Sequence, residues 1–419
     1  MRTVTALALL VIVAALAGAG AFAVVQGDGG SLDERWVSDT GRDMKGNHHA
    51  PAVATVDGHT FVFTPVSDRG NGDGCGLYAL NASDGSVAWE YQVPPANCTL
   101  HAVADPTVAD YDGDGDREVL ATSTEEDVKA FDPVTGETEM RHELRAYGYT
   151  QPVVADLSDD PGTETAVVDV KGYLRVVRAD GTAAWTRDLG GMVWGQPTVD
   201  DVDTDGDPEL VAGVAPSSGG RVVALDGNGS VEWSTNVSSS ILWMGSGQTD
   251  DDAAVETVVA TSSGHVVAVD GRDGSVEWRR DVGDPDTDAG DLSAVDRIVD
   301  ADGDGTAEVY AASADGTLHA LDGTDGSVEW STSLTSGTKM MPPPAVGDVD
   351  GDGDPELVAV TNDGTVAVVA PDSGEVQATY SRSVPIYTHP ALADVDGDGA
   401  AEIHVIYGDA RLVSLSFSA

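Results

Sequence analysis

The apolar residues of this chain come in short bursts, not in long or helically spaced runs. Segments such as "ELVAV", "TVAVV" and "HVVAV" are bounded every few positions by Gly, Asp, Ser or Pro. Brief β-branched runs between turn residues predict buried β-strands. In the stretch from Met341 the order is "PPAVGD", "DGDGDP", "ELVAVT", "NDG", "TVAVVA", "PDSG" and "EVQATYS", which reads as four strands joined by three tight connections. With 50 Gly and 19 Pro in 419 residues, long helices are not expected. The predicted fold class is all-β.

Two motifs alternate along this pattern. The first, D-x-D-x-D-G-x-x-E, is complete five times. Its residues are Asp110, Asp112, Asp114, Asp116 and Glu118; Asp201, Asp203, Asp205, Asp207 and Glu209; Asp300, Asp302, Asp304, Thr306 and Glu308; Asp348, Asp350, Asp352, Asp354 and Glu356; and Asp394, Asp396, Asp398, Ala400 and Glu402. Two weaker copies hold Asp156, Ser158, Asp160 and Glu164, and Asp250, Asp252 and Glu256 behind Gln248. The closing Glu residues recur every 45 to 52 positions, the length of one four-stranded propeller blade. The second motif, A-x-D-x-x-x-G-x-x-x-W, follows each acidic loop, as in "AVDGRDGSVEW" to Trp278 and "ALDGTDGSVEW" to Trp330, with Met140 in place of Trp in one copy. The Trp residues at 89, 185, 233, 278 and 330 read as packing between blades. Seven periods with an acidic loop follow a first blade, about His48 to Val93, that lacks one. The last blade is one strand short, and Glu34–Ser38 resembles a terminal strand. We therefore expect an eight-bladed β-propeller of four-stranded antiparallel blades, its ring closed by an N-terminal strand that completes the last blade and leaves no free sheet edge there.

The Trp-ended repeat resembles that of quinoprotein-type, PQQ-like eight-bladed propellers, a group that includes pyrroloquinoline quinone dehydrogenases and a noncatalytic lipoprotein of the outer-membrane assembly machinery. The acidic loops are similar to the calcium loops of FG-GAP repeats in integrin-α-type propellers. The resemblance spans about residues 34–419. It implies an architecture but no reaction.

The loop spacing carries its own chemistry. Carboxylates at alternate positions of a tight, Gly-containing turn face one hard cation, and three or four of them repel without one. About five to seven structural Ca2+ ions are expected, bound by the loop carboxylates, with the seventh loop position giving a backbone carbonyl. In a propeller these loops lie opposite the connections between blades. The latter contain His48, His49, His101, Tyr147, Tyr149, Gln151, Trp194, Gln196, Trp243, Met244, Met340, Met341, Tyr387 and His389. Aromatic residues make up only 5% of the chain, so their recurrence ahead of first strands predicts a funnel able to stack on a ring or grip a peptide. The expected ligand residues are His49, His101, Tyr149, Gln151, Trp194, Gln196, Trp243, Tyr387 and His389. His48 and His49, if adjacent on a strand, would point to opposite faces.

The 72 acidic and 21 basic residues give a net charge of −51, which excludes nucleic acid and anionic lipid as partners. Only 4 of the bases are Lys, and the acidity beyond the loops resembles the surface of a salt-loving archaeal protein. Residues 1–30 hold an apolar run, Val4 to Val25, that predicts a signal peptide or an N-terminal membrane anchor, leaving 31–419 as a single propeller domain. In an exported domain, Cys75 and Cys98 are expected to form a disulfide. Sequons occur at Asn81, Asn97, Asn228 and Asn236.

These features point to an exported, surface-anchored, monomeric and non-enzymatic module that binds a protein or glycan, touching the membrane only through its N-terminal segment. One alternative is a PQQ-dependent dehydrogenase. Another is a calcium-dependent polysaccharide lyase, for which Lys339, Arg145 and the funnel histidines are the available groups.

Overall fold

The computed structural model describes residues 30–419 apart from 42–43, 70–72, 159–160, 251, 284–291 and 337–341. Its regular structure is eight separate antiparallel sheets. Blade 1 runs from strand Ala52–Val56 to Val87–Gln92, blade 2 from Thr107–Ala109 to Thr138–Glu143, blade 3 from Val153–Ala155 to Ala183–Asp188 and blade 4 from Met192–Val193 to Val231–Val237. Blade 5 runs from Ile241–Gly247 to Val276–Asp281, blade 6 from Ser293–Ala294 to Val328–Ser333 and blade 7 from Ala345–Gly347 to Val376–Ser381. In blade 8, Ala391–Ala393, Glu402–Ile406 and Leu412–Ser418 are joined by Ser31–Val37 as the fourth strand, with Trp36 opposite Ser414. The chain's two ends thus close the ring as expected.

Burial follows strand position. Every residue of the second strands Glu118–Ser123, Glu256–Thr261 and Glu308–Ser313 is buried, because a central strand is covered on both faces by neighbouring blades and so reads as a continuous apolar run. Along the fourth strand Val276–Asp281 only Trp278 is buried. The core is shared between blades: Val358, Val366, Ile403, Val405 and Leu415 join blades 7 and 8, and Leu174, Val176, Leu210 and Leu225 join blades 3 and 4.

The second motif is a clasp between consecutive blades. The indole N–H groups of Trp36, Trp89, Trp185, Trp233, Trp278 and Trp330 donate at 2.6 to 2.8 Å to carbonyls of Ala82, Pro133, Gly227, Gly271, Gly323 and Pro371 in the next blade's hairpin turn. Each ring lies flat over that turn's Gly. At Gly326, whose φ is +66°, a Cβ would sit 2.5 Å from the Trp278 ring, so this glycine is required twice, by conformation and by contact. Two junctions lack the clasp. Met140 leaves the Gly181 turn open, with nothing within 4 Å of a Cβ there. Ala378 takes the Trp position of blade 7 because blade 8 has no hairpin turn between its third and fourth strands: the chain ends occupy that place.

Cys75 and Cys98 are bonded, with Cα atoms 5.3 Å apart, tying blade 1 to the segment leading into blade 2. No helix among the described residues is long and apolar enough to cross a membrane. The Val4–Val25 run lies outside the described residues.

Candidate functional site

Each acidic loop connects the first and second strands of its blade. The closing Glu is buried in all seven loops, and its Oε2 accepts the backbone N–H of the loop's second residue at 2.7 to 3.3 Å. In blades 2, 6, 7 and 8 the first Asp accepts the N–H groups of both loop glycines at 2.6 to 3.1 Å. Blade 4 has Thr204 where those loops have their first Gly, at a φ of 64°. These bonds fix the backbone and hold the carboxylates together. One oxygen each from Asp300, Asp302, Asp304 and Glu308 lies within 4.8 Å of the others, and the same holds for Asp110, Asp112 and Glu118, for Asp201, Asp203 and Glu209, and for Asp250, Asp252 and Glu256.

The electrostatics of these clusters fit a hard divalent cation. Asp201 Oδ1, Glu256 Oε1 and Glu308 Oε1 are buried with no hydrogen-bond partner. Burial, followed by the neighbouring loop carboxylates, pushes Glu118, Glu308 and Glu356 up to about 7. Glu209 is pushed to about 8 by burial and then by Glu232 and Asp203. Like charge gathered around orphaned oxygens is the arrangement that calcium, with its six to eight oxygen ligands, stabilises.

The loops are not equivalent, and the difference lies in a residue that sequence reasoning missed: the one before the terminal Trp. Glu139, Glu232, Glu277 and Glu329 there face the acidic loops of blades 2, 4, 5 and 6, and burial and then nearby acids raise each carboxyl. In blade 3 the position is Ala184, and the Ser158 hydroxyl donates to Glu164 Oε1 at 2.5 Å. In blade 8 it is Arg35, whose guanidinium binds Asp396 at 2.7 Å and also Glu402. That loop carries its own cation. In blade 5, Asp252 is shared with Arg272 at 2.6 Å. The Glu of "VEW" was the available signal. Among the four clusters named above, the seventh loop position contributes no carboxylate, and Asp160 lies outside the described residues.

The funnel is built from residues just ahead of the first strands, hence at the opposite ends of those strands from the acidic loops. Its cavity, about 350 Å³, is lined by His49, His101, Tyr149, Gln151, Trp194, Gln196, Trp243 and Tyr387, with His48, Arg69, Asp105, Leu100 and Leu242 beside them. Tyr149 stands edge-on to Trp194 and His101, with centroids 5.2 and 4.9 Å away. His389 meets Trp243 edge-on at 6.2 Å. Trp243 lies within the first strand of blade 5 and not in a connection, and Met244 on the same strand is buried. Met340, Met341 and Lys339 fall outside the described residues.

Gln151 and Gln196 are occupied in stitching blades together. Gln196 takes the Gln151 N–H at 2.8 Å and returns a bond to the Gln151 carbonyl, while Gln151 donates to the Pro106 carbonyl. Asp105 holds the equivalent place in blade 2 and was missed, although "DP" there parallels "QP" at 151 and 196 and "HP" at 389. It accepts the Ala50 N–H at 2.9 Å and the His49 Nδ1–H at 2.7 Å. Burial works against its charge, but the His49 hydrogen bond and ring outweigh that and hold the carboxyl below its usual range.

The expectation for His48 and His49 needs correction. Residues 44–51 form no strand, so alternation does not apply, and the two rings lie 4.7 Å apart on the same side. His48 bonds the Gly46 carbonyl through Nδ1 at 2.8 Å and His101 Nδ1 through Nε2 at 2.9 Å. Burial, and then the other histidines, lower His48 to about 4 and His101 to about 3, so both are neutral at pH 7.

A family profile described as outer membrane protein assembly factor BamB matches residues 10–167 and 124–307, and an FG-GAP-like repeat profile matches 300–359 and 348–405. No curated protein matches the sequence. BamB of Moraxella catarrhalis superimposes with a TM-score of 0.60 at 13% identity, over 92% of this chain and 97% of that one. The quinohemoprotein alcohol dehydrogenase ADHIIG of Pseudomonas putida HK5 gives 0.61 at 14%, over 92% and 76%. BBS1N, solved in complex with ARL6DN, gives 0.53 at 14%, over 74% and 91%. At these identities the likeness concerns the fold.

Proposed function

This chain belongs to the PQQ-like β-propeller family, the one its profile describes as outer membrane protein assembly factor BamB, and from that premise we propose that it is an exported, surface-anchored, non-enzymatic binding module. Its rim of acidic loops takes structural calcium, and its funnel recognises a protein or glycan. The observation that carries the reading is the convergence of Tyr149, Trp194, Trp243 and Tyr387, from four different blades, on one cavity of about 350 Å³. Amphipathic rings held by a rigid scaffold supply contact area at little entropic cost. That relatives of this fold include a propeller solved with a protein partner supports the same role.

Calcium sites are proposed for blades 2, 4, 5, 6 and 7. Blade 8 is served by Arg35 and blade 3 by Ser158. Excess chelator at moderate salt should lower the melting temperature of the protein, and an unchanged melt would sink the calcium reading. The acidity left over is proposed to be surface adaptation to high salt, which screens self-repulsion.

A quinone fits this funnel poorly. Pyrroloquinoline quinone carries three carboxylates, and among the described residues Arg69 is the one Arg or Lys lining the cavity. The acidic loops, lying at the far ends of the first strands, offer it no calcium. The experiment that tests the function is a glycan and surface-protein binding screen of the wild type beside Trp194→Ala and Tyr149→Ala. Saturable binding lost in both variants is expected. Stoichiometric quinone binding with alcohol-dependent dye reduction would overturn it.

A further inference from the structure

Three histidines from two blade entrances meet at the floor of the funnel. One ring nitrogen each from His48, His49 and His101 lies within 4.8 Å of the others. Their surroundings differ from those of histidines that merely fill space. His49 is only 3% exposed, its Nδ1–H is fixed by the Asp105 carboxylate at 2.7 Å, and its Nε2 is buried without any hydrogen-bond partner. A carboxylate holding the far nitrogen of a ring whose near nitrogen is bare is the arrangement that orients a metal-ligating histidine. His48 repeats it with a backbone carbonyl, since Nδ1–H donates to Gly46 and leaves the Nε2 lone pair facing inward. That lone pair now accepts a hydrogen bond from the His101 Nδ1–H at 2.9 Å.

We propose that His48, His49 and His101 bind one borderline divalent transition-metal ion of the zinc class, with a coordination position left open to the funnel. Three imidazoles are a nitrogen donor set that zinc accepts and calcium does not. Tetrahedral Zn–N bonds of about 2.05 Å place ligand nitrogens about 3.3 Å apart, so the His48–His101 contact has to widen by only about 0.4 Å. His101 then moves its proton from Nδ1 to Nε2, freeing Nδ1 for the metal. The fourth position faces the cavity between Tyr149, Trp194 and Arg69, where an oxygen or nitrogen donor of a bound partner replaces water. The site stands on the histidine geometry alone, so failure of the funnel-binding proposal would leave it intact, and the reverse.

The test uses Co2+ as the probe on the full chain in buffer saturated with calcium, which blocks the oxygen sites. One equivalent of Co2+ with visible d–d bands of four-coordinate, nitrogen-ligated metal is expected, displaced by Zn2+. His101→Ala should abolish the bands, and Asp105→Asn should weaken binding about 10- to 100-fold while leaving their shape unchanged. His49→Ala, checked for folding by far-UV circular dichroism, serves as the second ligand variant. Absence of the bands in the wild type, or bands unaltered in both histidine variants, would overturn the assignment.

Discussion

The clasp between blades makes a prediction whose size can be worked out residue by residue. Trp278 is 7% exposed, covers Gly326, and donates to the Gly323 carbonyl at 2.6 Å. Trp278→Ala removes a buried indole and orphans that carbonyl, a loss of about 3–5 kcal/mol. Gly326→Ala incurs two costs. A left-handed φ of +66° costs an L-residue about 1–2 kcal/mol, and a Cβ 2.5 Å from the indole adds overpacking of about 1–3 kcal/mol. In the double variant the second cost vanishes because the ring is gone. The pair should therefore be less destabilised than the sum of the singles by about 1–3 kcal/mol, the signature of direct contact. Gly181→Ala is the control. Its φ is +79° but nothing lies within 4 Å, so only the conformational cost of about 1–2 kcal/mol applies. For a chain of this length, 1 kcal/mol corresponds to roughly 1 °C in Tm, so the comparison is made by calorimetry with calcium present. Strict additivity at Trp278 and Gly326, or a Gly181→Ala penalty as large as that of Gly326→Ala, would refute the reasoning.

Met140→Trp should supply the missing clasp at the open Gly181 turn and raise Tm by about 1 °C or more in the same calorimeter; a lower Tm would mean that the turn cannot receive the ring. Glu308→Gln should change sign with the ion. In calcium it removes a ligand and lowers Tm, whereas in chelator it removes a buried charge crowded by Asp302 and Glu329 and raises Tm, so a loss in both conditions would argue against ion binding there. Thr204→Gly should relieve the left-handed backbone at 204 and stabilise the protein by about 1 kcal/mol, seen as a higher midpoint in urea denaturation.

The fold was legible because every blade restates it. Glu356–Val360 and Thr365–Val369 are apolar runs bounded by Asp and Gly, and a turn every ten residues leaves only an all-β reading. Ring closure was legible for the same reason, since "DERW" before Trp36 restates the terminal strand. The acidic loops were visible as a group but not individually. Whether a loop faces Glu329, Ala184 or Arg35 depends on a fourth-strand side chain reaching across the third strand to the second-strand entrance of its own blade, a neighbourhood that spans about 20 residues in blade 6 and the whole chain in blade 8. The funnel was legible as a set of positions, not of roles. Gln151 and Gln196 proved to be ties between blades, and Asp105 escaped notice because a lone Asp-Pro in a chain this acidic carries no signal. The His48–His49 pair was misjudged because strand alternation was applied to a segment that is irregular.

The unevenness of the ring has a topological cause. A propeller of identical blades needs one place where the chain begins and ends, and there the hairpin turn that receives a Trp cannot exist. Ala378 marks that loss on the blade 7 side. The strand Ser31–Val37 offsets it. Its pairing with Leu412–Ser418 closes the last sheet, Trp36 clasps blade 1 over Gly85, and Arg35 pairs with the Asp396 and Glu402 carboxylates. A calcium site in blade 8 would make closure of the ring depend on both an ion and a strand from the other end of the chain arriving together. An arginine delivered by that strand makes closure and charge compensation one event, because the cation reaches its carboxylates only when the ring is complete.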